Sequence, residues 1–251
     1  MKLKWYQFSV RSLLILVTLF AVASSWFALK RKQALHQKEI VDQIKKDGGS
    51  VSYVYPHPFG MSVPEWLRDS CGEDFFGNVE SVLRANDSDL ERIKEFSQIR
   101  YLYLAGTSVS NAGLGNIRDL SHLRELALDQ TNIGDDGLEC LQGLKELRLL
   151  LVSWTKISDA GLKHLEGLAE LETLDLRGTK ITGEGLMHLR GNAKLRHLLL
   201  VPEMLDANNV TEESIRAIKK YLPNLRIVVC TGRHDLPEPE YEEWREDRNR
   251  K

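Results

Sequence analysis

The sequence predicts an α/β solenoid, a curved parallel sheet with helices on its convex side, preceded by a single membrane-crossing helix. Two observations predict it. One apolar pattern recurs between Ile99 and Leu200 at an unvarying interval, starting at Ile99, Leu123, Leu147, Leu171 and Leu195. A fixed period of this size marks stacked repeats, each a small unit of strand and helix. The second observation is the run from Ser12 to Leu29, which carries no charge and is rich in Leu, Val, Ile and Phe.

The residue choice within one repeat follows from its geometry. At Leu123/Leu126/Leu128 and Leu171/Leu174/Leu176 the last two apolar residues stand two apart, so they leave a short strand on the same side and give it one buried face. Thr107, Thr131, Thr155 and Thr179 hold one fixed place after each start, with hydroxyls able to satisfy backbone groups where the chain leaves the strand. Val109, Ile133, Ile157 and Ile181 add a further apolar position. The pairs Gly113-Leu114, Gly137-Leu138, Gly161-Leu162 and Gly185-Leu186 are each trailed by Ile117, Leu141, Leu165 or Leu189, and this helical i, i+3 spacing aims both apolar residues at the strands. No single unit can enclose its own apolar residues, so stacked neighbours must do it.

The stretch Leu171-Glu-Thr-Leu-Asp-Leu-Arg-Gly-Thr-Lys-Ile-Thr-Gly-Glu-Gly-Leu-Met-His-Leu resembles the cysteine-containing type of leucine-rich repeat, in its bacterial Thr-bearing form. The resemblance covers roughly residues 79–230. The whole layout has an apolar N-terminal segment, a Gly-Gly-Ser-Val-Ser-Tyr stretch and a Pro-Glu-Trp-Leu-Arg helix ahead of the repeats. It resembles a group of membrane-anchored bacterial repeat proteins, a resemblance that implies architecture and little function.

From the N-terminus onward, six segments are expected. Residues 1–11 are a basic N-terminus and 12–29 a transmembrane anchor or signal peptide. Residues 30–48 form a juxtamembrane helix, 49–98 an N-terminal cap with a degenerate repeat, 99–230 the leucine-rich repeats and C-terminal cap, and 231–251 a charged flexible tail. The 18 positions from Ser12 to Leu29 would span about 27 Å as a helix, close to the thickness of a bilayer's hydrocarbon. Trp5, Tyr6 and Phe8 before it, and Trp26 and Phe27 at its end, match interfacial aromatic belts. A cleaved signal peptide is the rival, since Lys2, Lys4 and Arg11 form a basic leader and Ala21-Val22-Ala23 a small-residue site; the apolar run continuing through Trp26–Leu29 favours an uncleaved anchor. Orientation stays open. Lys30, Arg31, Lys32, Lys38, Lys45 and Lys46 would hold the repeats in the cytoplasm, whereas the short basic leader has the shape of an export signal.

Lys30 to Asp47 favours helix with a thin apolar face at Val41 and Ile44, stopped by Gly48-Gly49. Its basic residues could touch anionic lipid, but the interspersed Glu39, Asp42 and Asp47 favour a solvated helix. Val51–Tyr55 alternates as a strand, and Ser62-Val-Pro-Glu65 is a capping box opening a helix through Trp66, Leu67 and Cys71. Val79, Val82, Leu90, Ile93 and Phe96 complete a degenerate first repeat, as the exposed end of an array requires. At the far end the interval from Leu195 to Leu225 is 30, which implies about six inserted residues within 202–210. Thr211 opens a helix with Ile215, Ile218 and Leu222 inward, and Pro223–Cys230 gives a last strand. The tail beyond is polar, with a short helix expected near Glu240–Arg248.

Composition narrows the functional classes. There are 34 basic and 36 acidic residues, so no global basic field gathers nucleic acid. Cys71, Cys140 and Cys230 are odd in number and far apart; they read as small buried hydrophobes, not as a disulfide framework or zinc site. No GxSxG, HExxH, Walker or GxGxxG motif is present, and neither enzyme activity, a cofactor nor a small-molecule substrate is expected. Cys140, His164 and His188 share one repeat position, equally far beyond Leu123, Leu147 and Leu171, and are metal-ligand types. With Asn116 in the same column and no fourth ligand, a variable, partly exposed helical position explains them better.

What remains is a surface for a protein partner, presented by a single-pass membrane protein. Residues two, four and six after each start alternate with the buried ones and are expected on the concave face. The candidate protein-binding residues there are Tyr101, Tyr103, Leu149, Leu151, Trp154, Asp175, Arg177 and Leu199, with Leu149 and Leu151 expected to face solvent beside Trp154. Coverage of this patch by another part of the chain is the competing expectation. The alternative function is a scaffolding envelope protein acting by self-association.

Overall fold

The sequence period is realised as one short parallel strand per repeat. The structure, a computed structural model, describes residues 10–54, 71–96, 98–201 and 210–229. Its sheet has eight strands in chain order: β1 Ser50–Val54, β2 Asn78–Leu83, β3 Tyr101–Tyr103, β4 Glu125–Ala127, β5 Leu149–Leu151, β6 Thr173–Asp175, β7 His197–Leu200 and β8 Arg226–Val229. Leu102, Leu126, Leu150, Leu174 and Leu198 stand side by side across β3 to β7, so the sequence register and the strand register coincide.

Contacts divide the chain into two units, Met1–Asp42 with Val54–Asn78, and Gln43–Tyr53 with Val79–Lys251. The first holds most of a single helix α1, Val10–Lys46. The expected anchor and juxtamembrane segments lie on this one helix, because no Gly or Pro interrupts the stretch and helical bonding continues to the left-handed Gly48 at φ 89°. From Ser12 the helix is long and apolar enough to cross a membrane, and Leu13 to Leu29 are all exposed. Further along, Ala34, Ile40, Val41 and Ile44 are buried, which realises the thin apolar face. Within this unit the short helix α2, Glu73–Phe76, meets α1 through a tilted Phe27–Phe75 ring pair 5.1 Å apart and through Gln37, whose amide donates to the Gly77 carbonyl at 3.0 Å.

In the second unit the strands are followed on one side by short helices: α3 Asp87–Ile93, α4 Asn111–Leu114, α5 Asp135–Glu139, α6 Asp159–Leu162 and α7 Glu212–Tyr221. 3-10 turns at Gly115–Ile117, Lys163–Leu165 and Gly185–Gly191 complete that layer. The core between the layers is the repeated apolar set. Leu126, Leu128, Ile133, Leu138, Leu141 and Leu144 are completely buried, and so are their equivalents in the next repeat. Each such side chain contributes about 1.5–3 kcal/mol by leaving water. The Thr hydroxyls donate within their own repeat, Thr107 to the Leu104 carbonyl at 2.7 Å, Thr131 to Leu128 at 2.6 Å, Thr155 to Val152 at 2.6 Å and Thr179 to Leu176 at 2.5 Å.

A second ladder, not anticipated from the sequence, ties each repeat to the next. Asp87, Asn111, Asp135 and Asp159 recur with the repeat period at the start of the helices. Asp135 accepts the Ser158 amide at 2.7 Å and hydroxyl at 2.6 Å; Asp87 holds Ser110, and Asp159 holds Thr182, in the same way. Asn111 accepts the Gly134 amide at 3.0 Å. This ladder dictates the glycine of each Gly-Leu pair. A Cβ at Gly137 or Gly161 would stand 2.6 or 2.5 Å from the oxygen of Asn111 or Asp135, and one at Gly113 or Gly185 would come still closer to Asp87 or Asp159.

Both ends depart from the repeat. At the first, Val79, Val82, Leu90, Ile93 and Phe96 are buried as the degenerate repeat requires. At the other, Arg226 pairs with His197, an offset of 226 − 197 = 29. The insertion is therefore five residues and not six, because strand pairing aligns Ile227, not Val228, with Leu198. Thr211 caps α7 by accepting the Ser214 amide at 3.2 Å, and Ile218 and Leu222 turn inward while Ile215 is half-buried. The capping box at Ser62–Glu65, most of the insertion and the helix expected at Glu240–Arg248 lie outside the described residues. The cysteines depart from expectation too: Cys71 is exposed and Cys140 half-buried, neither column being a core position, while Cys230 lies outside the described residues.

Candidate protein-binding face

Strand alternation places the candidate residues on the sheet face turned away from the helices. Tyr101 and Tyr103 on β3, Glu125 and Ala127 on β4, Leu149 and Leu151 on β5, Thr173 and Asp175 on β6 and His197 and Leu199 on β7 stand in two cross-strand rows. Their exposure corrects the expectation of an open apolar patch. Leu149 is 6% exposed and Leu199 4%, and Asp175 and Arg177 are buried as well. Tyr101, Tyr103 and Leu151 are half-buried, and Trp154, 37% exposed, is the most accessible candidate.

Two contributions to this burial lie among the described residues. Parallel strands lie about 4.8 Å apart, so each side chain in a row is flanked by its neighbours. The polar members are also drawn together. Arg177 folds back on Asp175, its Nε 3.0 Å from both carboxylate oxygens and its Nη2 2.7 Å from Oδ2, and its backbone amide donates to the same group. The Tyr103 hydroxyl donates to Glu125 on the adjacent strand. Asp129 accepts both the amide and the hydroxyl of Ser153, at 3.1 and 2.6 Å. Burial raises the Asp129 carboxyl above its ordinary value; the Ser153 hydroxyl opposes this and the nearby Asp175 charge adds to it.

Just past the strands runs a column of left-handed residues, Gly106, Gln130, Trp154 and Gly178, with φ between 56° and 68°. Their amides extend the inter-repeat ladder, Gln130 to the Ser153 carbonyl at 2.9 Å and Trp154 to Arg177 at 2.7 Å. Glycine suits this conformation and tryptophan does not. The ring of Trp154 lies over Gly178, where a Cβ would collide with it. This column escaped the sequence analysis, although Gly106 and Gly178 stand in register with Trp154 and signal it.

On the helix side, the column of Cys140, His164 and His188 is as expected from the register, and its imidazoles engage polar neighbours. His164 Nδ1 stands 2.7 Å from Gln142 Nε2 and His188 Nδ1 2.8 Å from Glu166 Oε1. Among the described residues no group of three His, Cys, Asp or Glu is arranged to hold a metal ion.

One parallel strand and one helical turn in every repeat, with Leu columns between them, is the architecture of a leucine-rich repeat solenoid, and the chain is a leucine-rich repeat protein. A family model described as Leucine Rich repeat matches residues 119–141 and 170–189. Among solved structures, the chain is similar to an internalin (inlF) of Listeria monocytogenes, with 21% identity over 56% of this chain and 37% of that one and a TM-score of 0.46. It is also similar to internalin C2 of the same organism, with 21% identity over 56% of this chain and 66% of that one and a TM-score of 0.41. The chain thus spans between about a third and two thirds of the length of these structures. No curated protein matches it.

Proposed function

We propose that the chain is a membrane-anchored protein-interaction module without enzymatic activity, its partner protein meeting the sheet face opposite the helices at Leu151 and Trp154. Tyr101 and Tyr103 extend that contact along the neighbouring repeats, while Leu149, Leu199 and the Asp175–Arg177 pair form its floor. The single observation that carries this reading is Trp154. A bulky aromatic residue stands in a left-handed conformation that two other repeats assign to glycine, and it is 37% exposed, three residues beyond the half-buried Leu151. Strain at a partly exposed aromatic residue is typical of positions kept for binding. The apolar helix from Ser12, with Leu13–Leu29 exposed, supports the membrane anchor.

The test is crosslinking of the full chain in its native membrane, comparing the wild type with Leu151→Ser and Trp154→Gly. Leu149 is left intact because it is buried. Loss of the same captured protein in both variants, with unchanged thermal unfolding, supports the reading; capture at wild-type yield by both overturns it. Self-association is the scaffolding alternative, and the described edge strand β8, with Val229 42% exposed, is the observation that favours it. A monomer of the detergent-solubilised chain at tens of micromolar would dismiss that alternative.

A further inference from the structure

We propose that the chain's own C-terminal segment, residues 235–251, docks across the sheet face opposite the helices, so that the free protein carries an occupant which a partner has to displace. The displacement rests on the reading of this face as the partner's; the docking does not. Burial on the face calls for a cover. Neighbours in a cross-strand row shield the sides of a residue and leave its tip open, yet Leu149 on β5 is 6% exposed and Leu199 on β7 4%. Tyr101, Glu125, Trp154, Arg177 and His197, spread over this face and its rim, also each take part in a further polar, ring or electrostatic interaction beyond those given above.

The order of charge along the face matches the order of charge along the segment. From β7 toward β4 the face offers first His197 and Arg177, then the apolar Leu149 and Leu151, then Glu125 and Asp129. Arg177 is bound to Asp175, so Glu125 and Asp129 hold an excess of negative charge. In the segment, Asp235, Glu238, Glu240, Glu242 and Glu243 come first with no base among them. Tyr241 and Trp244 stand at the junction, and Arg245, Arg248, Arg250 and Lys251 follow, outnumbering Glu246 and Asp247. Laid from β7 toward β4, the segment sets its acids over His197 and Arg177, its aromatic residues over Leu149 and Leu151, and its basic end over Glu125 and Asp129.

Length permits this course. The segment leaves from β8, and β4 lies four strand spacings away, about 19 Å at about 4.8 Å each. Arg245 is 245 − 229 = 16 residues past Val229, a reach of up to about 53 Å when extended. Residues 202–209, which follow β7, hold no basic residue to meet Glu125 and Asp129. A tethered segment acts at an effective concentration on the order of millimolar, so even a weak contact is filled.

The test uses the full chain in detergent micelles with Trp244 replaced by photoreactive benzoylphenylalanine, and reads the site of crosslinking by mass spectrometry. The expected product joins position 244 to residues 149–156 of the same chain. Arg245→Glu with Arg248→Glu is expected to lower its yield about tenfold, and Glu125→Lys added to that pair to restore it. A crosslink between two chains, a crosslink elsewhere in the chain, or a yield unmoved by the two arginine reversals overturns the docking, and these readings decide even where Glu125→Lys fails to fold. Capture of the partner in the native membrane is expected to rise in the Arg245→Glu, Arg248→Glu variant. Unchanged capture there, where Leu151→Ser abolishes it, overturns the displacement. Failure of the partner reading shows differently, as capture that survives Leu151→Ser and Trp154→Gly while the crosslink still forms.

Discussion

At Trp154 two demands on one residue oppose each other. Its left-handed backbone costs about 1–2 kcal/mol relative to glycine, which carries no Cβ clash there. Packing of the residue, which is 37% exposed, recovers part of the roughly 1.5–3 kcal/mol that complete burial of a large apolar side chain would give. The two terms nearly cancel, so Trp154→Gly is expected to change the stability of the chain by less than about 1 kcal/mol in denaturant melts. The same variant is expected to lose its partner. A drop of several kcal/mol would instead make Trp154 a structural residue and remove it from the binding face.

At the scale of the element, the Asp/Asn ladder decides that the third residue of each repeat helix α4 to α6 is glycine. Gly161→Ala would press a methyl group against Asp135, 2.5 Å from its oxygen, and so displace that carboxylate from the Ser158 amide and hydroxyl. Hydrogen bonds to a charged group contribute about 1.5–3 kcal/mol each, and partial loss of the two is expected to cost about 2–4 kcal/mol. A change below about 0.5 kcal/mol would mean that the ladder yields without consequence. The helix α1 carries its own prediction. With Leu13 to Leu29 exposed to whatever surrounds it, an uncleaved anchor holds the protein in the membrane pellet through a high-salt or alkaline wash. A soluble mature protein beginning near Ser24 would identify the segment as a signal peptide.

At the scale of the whole array, each repeat encloses its neighbours' apolar residues, so damage in the middle is shared. Leu174 on β6 is completely buried between repeats that pack on both sides and cannot collapse into the space it leaves. Leu174→Ala is expected to cost about 2–5 kcal/mol and to lower one cooperative transition of the repeat array. Two separate transitions in calorimetry, with only one displaced, would show that the array does not melt as a unit.

The repeats determine themselves in the sequence because strand and helix periods act over a few residues. The Leu columns, the Thr hydroxyls, the capped end at Thr211 and the buried first repeat all follow from spacing alone. What spacing cannot express is what two repeats do to each other. The glycine of Gly-Leu was legible as a position, but its cause, an Asp or Asn of the preceding repeat, exists only once the repeats are stacked. The same holds for the candidate face. Alternation put Leu149, Asp175 and Leu199 on the sheet face turned away from the helices, yet whether they meet solvent depends on the side chains brought beside them in the fold, Arg177 folding back over Asp175 among them. The shift of β8 by one residue has the same origin: an insertion carries no period, and only pairing with β7 fixes where the last strand falls.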